Sequence, residues 1–301
     1  MISLTADEAF RAYEAVRHRL PAARQRDEAY KQIETLAEIA DHFDVFLLDA
    51  FGVLNVGETA IPGAVERVRE LKQSGKHVIV VSNAASVPQG DLVAKYRRLG
   101  FDFPPEDIIT SRATMAAYMD VADVDIWGVM QGSHARLDDL APLRITPLAD
   151  DASAYKTVGG FLLIGSAGWT EARQSLLEAA LSEAPRPVLI ANPDIVAPRE
   201  TGFSAEPGYF AHRLADRTGV EPEFFGKPFP NIFDLAFQRV GQIEKNRIVM
   251  VGDSLHTDIL GAQAVGIASV LVTRYGLFAG QDFRSAVTNT GIAPDFVASR
   301  P

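Results

Sequence analysis

Four short stretches of the sequence contain side chains suited to chemistry on an anionic group. They are DAFGVL from Asp49, SNAAS from Ser82, GKPFP around Lys227, and VGDSLHTDI, which holds Asp253 and Asp258. Carboxylates act as nucleophiles and bind hard cations such as Mg²⁺ through oxygen. A lysine and hydroxyl or amide donors stabilise negative charge. Each stretch is common on its own, so its meaning depends on whether the fold brings the four together.

Short apolar runs precede most of these residues and predict the strands of a buried parallel sheet. The runs are VFLL at 45–48, VIVV at 78–81, VLI at 188–190, IVMV at 248–251 and SVLVT at 269–273. Continuous rather than alternating apolarity is typical of strands covered by helices on both faces. Polar residues follow the runs closely, namely Asp49, Ser82 with Asn83, Asn192 and Asp253. Since ligands of open α/β sheets lie beyond the carboxyl ends of the strands, we expect these residues to share one crevice.

Helical patterns separate the predicted strands and complete a doubly wound α/β fold. Examples are IPGAVERVRELKQSG from Ile61, TEARQSLLEAALSEA from Thr170 and PNIFDLAFQRVG from Pro230. The middle of the chain adds the strand candidates DIWGVM and GGFLLIG, which is enough material for a second α/β unit. The first forty residues predict two helices, LTADEAFRAYEAVRHRL and RDEAYKQIETLAEIADHF, which we assign to packing or oligomer contacts.

Length and composition limit the classes of protein. The 301 residues, 47% of them hydrophobic, favour two domains of moderate size. A net charge of -10 argues against non-specific binding to nucleic acid or to an anionic membrane. The absence of cysteine excludes disulfides, zinc-thiolate sites and a thiol nucleophile. The first residues carry scattered charges and form neither a signal peptide nor a membrane span, so we expect a cytoplasmic protein.

Taken together and in this order, the four stretches resemble the haloacid dehalogenase (HAD) superfamily. They are most similar to its class IIA phosphatases, the NagD-like and pyridoxal-phosphatase-like group. The similarity extends from Leu36 to Thr273 and includes IPGA after the first motif and ANPD at 191–194. The resemblance implies a HAD-like Rossmannoid core with an inserted α/β cap domain.

Motif spacing predicts where that cap enters. Asp49 and Ser82 are 33 residues apart, whereas Ser82 and Lys227 are 145 residues apart. The first interval holds one turn, one helix and one strand, so the extra chain must lie in the second. We therefore assign residues 41–123 and 222–301 to the catalytic core, 124–221 to the cap and 1–40 to an N-terminal helical extension.

The resemblance also implies a function and a set of site residues. It implies a Mg²⁺-dependent phosphatase in which Asp49 forms an aspartyl-phosphate. The metal ligands would be Asp49, Asp253, Asp258 and the backbone carbonyl of Phe51, with Asp258 orienting Asp253 or a water molecule at the metal. Lys227 and Ser82 would complete the catalytic set.

Further residues are predicted to contact the substrate. By resemblance these are Gly52, Asn83, Asn192 and Arg199. The cap loop ANPDIVAPRETG would set specificity through Val196, Pro198, Arg199 and Glu200. Sugar phosphates, pyridoxal phosphate and aryl phosphates all fit, and the resemblance further implies a homodimer formed through the cap.

Phe51 departs from the family pattern. Phosphatases of this family usually read D-x-D-G, and the second aspartate protonates the leaving oxygen and then helps water attack the aspartyl-phosphate. The ring of Phe51 cannot transfer a proton. General acid–base catalysis contributes ~10² to 10⁴ in rate, so its loss slows turnover without abolishing it.

Four explanations of Phe51 stay open. The first is a phosphatase that uses another proton source, such as His256 or a metal-bound water, or that prefers good leaving groups. The second is a dehalogenase, because DAFGVL also resembles the DAYGTL pattern, although those enzymes need no metal and usually carry their cap after the first motif. The third is a phosphonate hydrolase, for which no cap lysine stands out as an imine-former. The fourth is a protein that binds phosphorylated metabolites without turnover. We rank the phosphatase first and the binding protein second.

Overall fold

The structure, a computed structural model, describes residues 3–24, 30–119, 124–132, 135–198 and 202–301. In chain order its strands are β1 (Ser3–Leu4), β2 (Lys31–Ile33), β3 (Val45–Leu48), β4 (Asn55–Val56), β5 (Thr59–Ala60), β6 (His77–Ser82), β7 (Ile108–Thr110), β8 (Trp127–Met130), β9 (Ile145–Pro147), β10 (Gly160–Leu163), β11 (Val188–Ile190), β12 (Val196–Pro198), β13 (Phe203–Ala205), β14 (Glu223–Phe224), β15 (Ile248–Gly252), β16 (Ala268–Val272) and β17 (Phe296–Ala298). Its α-helices are α1 (Ala6–Ala15), α2 (Ala64–Gln73), α3 (Gln89–Arg98), α4 (Ser111–Tyr118), α5 (Ala152–Thr157), α6 (Glu171–Glu183), α7 (Pro207–Thr218), α8 (Pro230–Val240), α9 (Leu260–Val265) and α10 (Phe283–Thr290). Within the described ranges, no helix has the length and apolarity that a membrane span requires.

The chain divides into two compact units. The core unit comprises Arg17–Ser82, Gln89–Thr110 and Lys227–Pro301. The insert unit comprises Met1–Val16, Asn83–Pro88 and Ser111–Gly226. Residues 124–221, assigned above to a cap, fall within the insert unit. The proposed extension over residues 1–40 is shared between the two units.

A seven-stranded parallel sheet forms the centre of the core unit. Its order is β2-β17-β16-β15-β3-β6-β7, which confirms the predicted parallel α/β fold. In the register of β3 with β15, Leu48 lies opposite Val251. The N–H of Asp49 then donates to the Val251 carbonyl at 2.8 Å, which continues the ladder by one residue. Asp49 and Asp253 therefore emerge from adjacent strands at the same edge of the sheet.

Helices cover the core sheet, as the apolar runs predicted. One buried cluster joins alternate strand residues to helices α8 and α9. Its strand members include Val45, Leu47, Ile79, Val81 and Met250, and its helix members are Ile232, Phe233 and Ala236 of α8 and Ala262 and Val265 of α9. The spacing of two along each strand places these strand residues on one face of the sheet. The intervening residues Phe46, Leu48, Val78 and Val80 are also buried. Burial on both faces explains why the strands are continuously apolar.

The insert unit has a sheet and a hydrophobic core of its own. Five parallel strands run in the order β14-β11-β10-β8-β9, and β1-β13-β12 form a separate antiparallel sheet. Trp127, Val129, Leu162, Ile164 and Leu189 belong to one buried cluster in this unit. The strands predicted from DIWGVM and GGFLLIG are thus confirmed. Helix α6 begins as predicted, because the Thr170 hydroxyl accepts the N–H of Arg173 at 3.2 Å.

The prediction of a second N-terminal helix was wrong. Residues Lys31–Ile33 form β2, which pairs in parallel with β17, and a 3₁₀ helix follows at Leu36–His42. The edge of β17 offers backbone hydrogen bonds to this segment, and such pairing outweighs a local helical preference. Residues 26–29 of the predicted helix lie outside the described ranges.

Candidate active site

Asp49 is a buried carboxylate at the carboxyl end of β3. Its side chain is 12% exposed, and Lys227 Nζ donates to its Oδ1 at 2.5 Å. Loss of hydration is the main influence on this group and raises the pKa of Asp49 to about 6. The positive charge of Lys227 opposes that rise, whereas the charge of Asp258 adds to it.

Lys227 bridges two carboxylates. Besides Asp49, its Nζ donates to Asp258 Oδ1 at 2.7 Å, and the lysine itself is 2% exposed. Burial alone would lower the pKa of Lys227, but the two carboxylates outweigh burial and hold the pKa above its ordinary value. Lys227 is therefore a fixed positive charge beside Asp49. It follows Gly226, the last residue of the insert unit.

Asp258 anchors the loop that carries Asp253. Its Oδ2 accepts the N–H groups of Asp253 and Ser254 at 3.1 and 3.0 Å, while its Oδ1 is bonded to Lys227. The residue lies in a π-helical turn at Leu255–Ile259, a rare geometry that is frequent at functional sites. A Cβ at Gly252 would lie 2.0 Å from Asp258 Cγ, so that position requires glycine. With both oxygens engaged, Asp258 is well suited to orient Asp253.

Asp253 follows β15 and is 3% exposed. Its Oδ2 accepts the N–H of Leu277 at 2.9 Å. Desolvation, with added repulsion from Asp49 and Asp258, holds the pKa of Asp253 well above its ordinary value, and the Leu277 N–H partly offsets this. An ionised Asp253 would therefore gain from a nearby cation.

The three carboxylates form a candidate site for a divalent cation. One oxygen from each of Asp49, Asp253 and Asp258 lies within 4.8 Å of the other two. With all three ionised and Lys227 protonated, this buried group carries a net negative charge. The donors are all oxygen, which is the ligand set of Mg²⁺ and Ca²⁺ and not that of a soft metal. The chemistry of the cluster thus fits the metal that the motifs implied.

Gly52 brings the turn after β3 against Asp253. Its φ is +77°, and a Cβ built there would lie 2.5 Å from Asp253 Oδ2. A larger residue would have to strain the backbone and displace the carboxylate at the same time. The contact with Asp253 and the positive φ are sufficient reason for a glycine at position 52. Its role as a substrate contact stays a separate prediction.

Phe51 presents its backbone within the same turn. The Ala50 carbonyl accepts the N–H groups of Leu54 and Asn55 at 2.9 and 3.0 Å. No N–H of the described residues donates to the Phe51 carbonyl. That oxygen is therefore available to a cation, in line with the ligand role expected for it.

Ser82 and Asn83 lie at the end of β6, but in different units. Ser82 is buried in the core unit, where β6 is the neighbour of β3, so its hydroxyl lies at the sheet edge that carries Asp49. Asn83 belongs to the insert unit, and its Nδ2 donates to Asp194 Oδ1 at 2.7 Å. The predicted phosphate contacts of Ser82 and Asn83 stay predictions.

Asn192 lies in a buried polar cluster of the insert unit. Its Oδ1 accepts the N–H of Asp194 at 3.0 Å, and its Nδ2 donates to Glu206 Oε2 at 3.4 Å. Val196 and Pro198 form part of β12. Arg199 and Glu200, predicted to contact substrate, lie outside the described residues.

The sequence reasoning missed one part of the candidate site, the turn after β16. Gly276 has φ +74°, and a Cβ there would lie 1.8 Å from Asp253 Oδ2. The only sequence signal for this contact was a glycine shortly after a buried strand. His256, considered as a proton source, is buried in the π-helical turn that carries Asp258.

Known proteins resemble this chain over most of its length. An acid sugar phosphatase of Staphylococcus epidermidis is 27% identical over 245 residues, which cover 81% of this chain and 91% of the relative. The crystal structure of a possible sugar phosphatase of the HAD superfamily from Cytophaga hutchinsonii is 27% identical and superposes with a TM-score of 0.79, covering 90% of this chain and 98% of that one. NagD of Escherichia coli shares the fold at 22% identity and a TM-score of 0.65, covering 86% and 96%.

Two family models match the chain, one before and one after the central part of the insert unit. Residues 46–136 match the haloacid dehalogenase-like hydrolases, and residues 224–300 match a HAD-hydrolase-like model. The two matches contain Asp49 on one side and Lys227, Asp253 and Asp258 on the other. The chain belongs to the haloacid dehalogenase superfamily and has the NagD-like fold.

Proposed function

We propose that this protein is a divalent-metal-dependent phosphatase that hydrolyses small phosphate monoesters through an aspartyl-phosphate on Asp49. The observation that carries the proposal is the convergence of Asp49, Lys227 and Asp253 at one edge of the core sheet. A buried carboxylate with a lysine at 2.5 Å and a second carboxylate beside it fits phosphoryl transfer, which depends on positioning and charge stabilisation.

The reaction would take place in two displacements. First, an Asp49 carboxylate oxygen attacks phosphorus, the bond from phosphorus to the ester oxygen breaks, and the leaving oxygen takes a proton. Water then attacks phosphorus, the bond from phosphorus to Asp49 breaks, and phosphate and the free carboxylate are released. Lys227 would hold Asp49 in place and balance negative charge on the phosphoryl oxygens.

Asp49, Asp253 and the Phe51 carbonyl would hold the cation, with Asp258 orienting Asp253. A bound Mg²⁺ supplies charge that lets a carboxylate approach an anionic phosphate. Asp258 itself would act through its hydrogen bonds to the loop at 253–254 and to Lys227. The roles of Ser82, Gly52, Asn83, Asn192 and Arg199 at the substrate are carried over from the family resemblance.

Sugar phosphates are the substrate class we favour first. The support is that the relative from Staphylococcus epidermidis is an acid sugar phosphatase. Pyridoxal phosphate and aryl phosphates are the next to test. We further propose a cytoplasmic homodimer formed through residues 124–221, without nucleic-acid or membrane partners. Light scattering that finds only monomer would remove the dimer.

Phosphate release from a panel of such esters, with and without Mg²⁺, tests the activity. We expect release that stops in excess chelator and returns with Mg²⁺. Asp49→Asn should abolish release, because an amide is not a nucleophile. Release that survives chelation, or near-normal rates in Asp49→Asn, would contradict the mechanism.

A second candidate is a protein that binds phosphorylated metabolites without turning them over. Phe51 is the observation that favours it, because this residue stands where related phosphatases have their general acid. Binding of the same esters, measured by calorimetry, separates the two candidates. Saturable binding of an ester that remains intact over long incubation would favour the binding protein.

A further inference from the structure

The backbone turn after β16 lies directly against Asp253. Within the 3₁₀ turn Gly276–Phe278, the N–H of Leu277 donates to Asp253 Oδ2 at 2.9 Å. A Cβ at Gly276 would lie 1.8 Å from that oxygen and 2.8 Å from Asp253 Cβ. Rotation of the carboxylate alone could not remove both clashes. The turn can approach Asp253 this closely only because residue 276 is glycine.

The turn is fixed to the core unit by the chain that precedes it and by the ring of Phe278. Before it, the N–H groups of Thr273 and Arg274 donate to the carbonyls of Ala298 and Ser299 at 3.1 and 3.2 Å. The N–H of Ala279 donates to the Gly276 carbonyl at 3.2 Å, which closes the turn itself. The ring of Phe278 packs against a buried cluster that includes Leu255, Ile259, Leu260, Leu271, Ile292 and Val297. The Leu277 N–H is thus held in place independently of Asp253.

Asp253 is therefore restrained at two points. Asp258 accepts the backbone N–H of Asp253, and Leu277 donates to its side chain. A carboxylate with one oxygen already bonded loses less rotational freedom when the other oxygen binds a cation. Hydrogen bonds to a ligating group of this kind commonly change metal affinity by about 10- to 100-fold.

We propose that the turn Gly276–Phe278 is a positioning element of the metal site, in which the Leu277 N–H holds one oxygen of Asp253 and leaves the other for the cation. The inference rests on the metal site of the proposed function and adds a determinant outside the four motifs, 24 residues after Asp253. Leu277 acts through its backbone and Gly276 through its lack of a side chain. Neither is a catalytic residue.

A matched pair of glycine variants tests the close approach. Gly276 and Gly280 have nearly equal left-handed φ values, +74° and +72°, so alanine strains the backbone similarly at both. A Cβ at Gly280 would meet nothing within 4 Å. We expect Gly276→Ala to weaken binding of Mg²⁺ by about 10-fold or more, and Gly280→Ala to leave it within about 2-fold of the wild type. Calorimetric titration of the full-length protein with Mg²⁺, without substrate, measures both dissociation constants.

A second pair tests the donor itself. Leu277→Pro removes the N–H, because proline has none, whereas Leu277→Ala keeps it and removes only the side chain. We expect weaker Mg²⁺ binding in the proline variant than in the alanine variant. This pair decides the question if Gly276→Ala does not fold, and near-ultraviolet circular dichroism reports folding of each variant.

The outcomes separate this inference from the proposed activity. If the wild type binds Mg²⁺ and the variants weaken it as expected, but no ester is hydrolysed, the inference stands and the phosphatase proposal fails. Equal Mg²⁺ affinity in the wild type, the folded Gly276→Ala protein and the folded Leu277→Pro protein would overturn the inference while leaving the activity untouched. A wild type that binds no divalent cation would also overturn it.

Discussion

The buried carboxylate of Asp49 serves the proposed chemistry but, when ionised, lowers the stability of the folded state. Burial removes water from its carboxylate, and the pKa of Asp49 is raised to about 6 because desolvation outweighs the attraction of Lys227. The ionised form, which the nucleophile requires, is therefore the form that the fold disfavours. Such a group is expected to reduce stability where it serves function.

The pH dependence of stability tests this reading of Asp49. An acid whose pKa is higher in the folded state binds a proton on folding, so its contribution to stability falls as the pH rises from about 4 to 6. A shift of about two units is worth about 3 kcal/mol at most. In excess chelator, we expect Asp49→Asn to unfold in urea with a higher free energy than the wild type at pH 7.5. The difference should be about half as large at pH 5.

A half-buried carboxylate, Asp44, provides the control. A hydrogen bond from Arg247 lowers the pKa of Asp44, so its contribution has the opposite sign and is present at neutral pH. Asp44→Asn should therefore destabilise the protein by nearly the same amount at pH 7.5 and at pH 5, because both values lie above the ordinary pKa of an aspartate. If Asp49→Asn proves less stable than the wild type at pH 7.5, the bond to Lys227 outweighs the desolvation of Asp49.

Because Phe51 cannot act as an acid, we predict that the reaction rate depends on the leaving group of the ester. Without an acid at this position, protonation of the leaving oxygen and activation of the attacking water both lose help worth ~10² to 10⁴ in rate. Aryl phosphates need little protonation, so their aspartyl-phosphate should form faster than it breaks down. Phe51→Asp should raise kcat on alkyl phosphates more than on aryl phosphates. Steady-state rates with both substrate types in both proteins measure the effect.

Rapid quenching of the wild type with an aryl phosphate provides an independent check. We expect a burst of leaving group and of acid-stable phosphate bound to the protein. If no burst is seen and a folded Phe51→Asp protein gains nothing on alkyl phosphates, another residue already transfers the proton. His256 would then be the next residue to replace.

At the scale of elements, the candidate site is built from strand ends and from the turns that close over them. β3 and β15 place Asp49 and Asp253 side by side, and the turns at Gly52 and Gly276 pack against Asp253 from different parts of the chain. The carboxylate is therefore held by backbone that cannot move without disturbing the sheet edge. We expect the turns to matter for catalysis as well as for folding.

Alanine at Gly52 tests the turn after β3. Gly52 and Gly57 both have left-handed φ, +77° and +58°, but a Cβ at Gly57 would meet nothing within 4 Å. We expect Gly52→Ala to lower kcat/KM by at least about 10-fold through displacement of Asp253. Gly57→Ala should cost stability without a comparable loss of activity. Equal losses of activity in the two variants would mean that backbone strain, and not the contact with Asp253, is responsible.

The elements of the core could be predicted from the sequence because their signals are local. A continuous apolar run identifies a strand such as β3, and parallel strands bring Asp49 and Asp253 to one edge. β2 was missed because its three residues become a strand only through pairing with β17, nearly the whole chain away. Leu277 was missed because a backbone N–H carries no residue-specific signal. Contacts of that kind appear only when the whole fold is known.

At the scale of the whole molecule, the positive charge that attracts an anionic ester must come from the candidate site itself. The chain has a net charge of -10, so the overall field does not attract an anionic ester. Attraction must come from the site, where Lys227 is among the described residues that supply positive charge and a cation would add more. Binding of the cation should therefore be the event that makes the core unit ready for a phosphate.

Hydrogen exchange can test whether binding of the cation stabilises the core unit without stabilising the insert unit. A ligand that binds only the folded state stabilises it by about 2.7 kcal/mol at one hundred times its dissociation constant. The carboxylates all belong to the core unit, whereas the insert unit has its own buried cluster around Trp127 and Leu162.

With saturating Mg²⁺ we expect slower exchange in β3, in β15 and in the turn at Gly276–Phe278, and little change in β8 and β10. Asp253→Asn, which keeps the shape of the side chain but lacks its charge, should lose most of this protection. Equal slowing of exchange in both sheets would show that the two units unfold together. No slowing in either sheet would contradict the metal site.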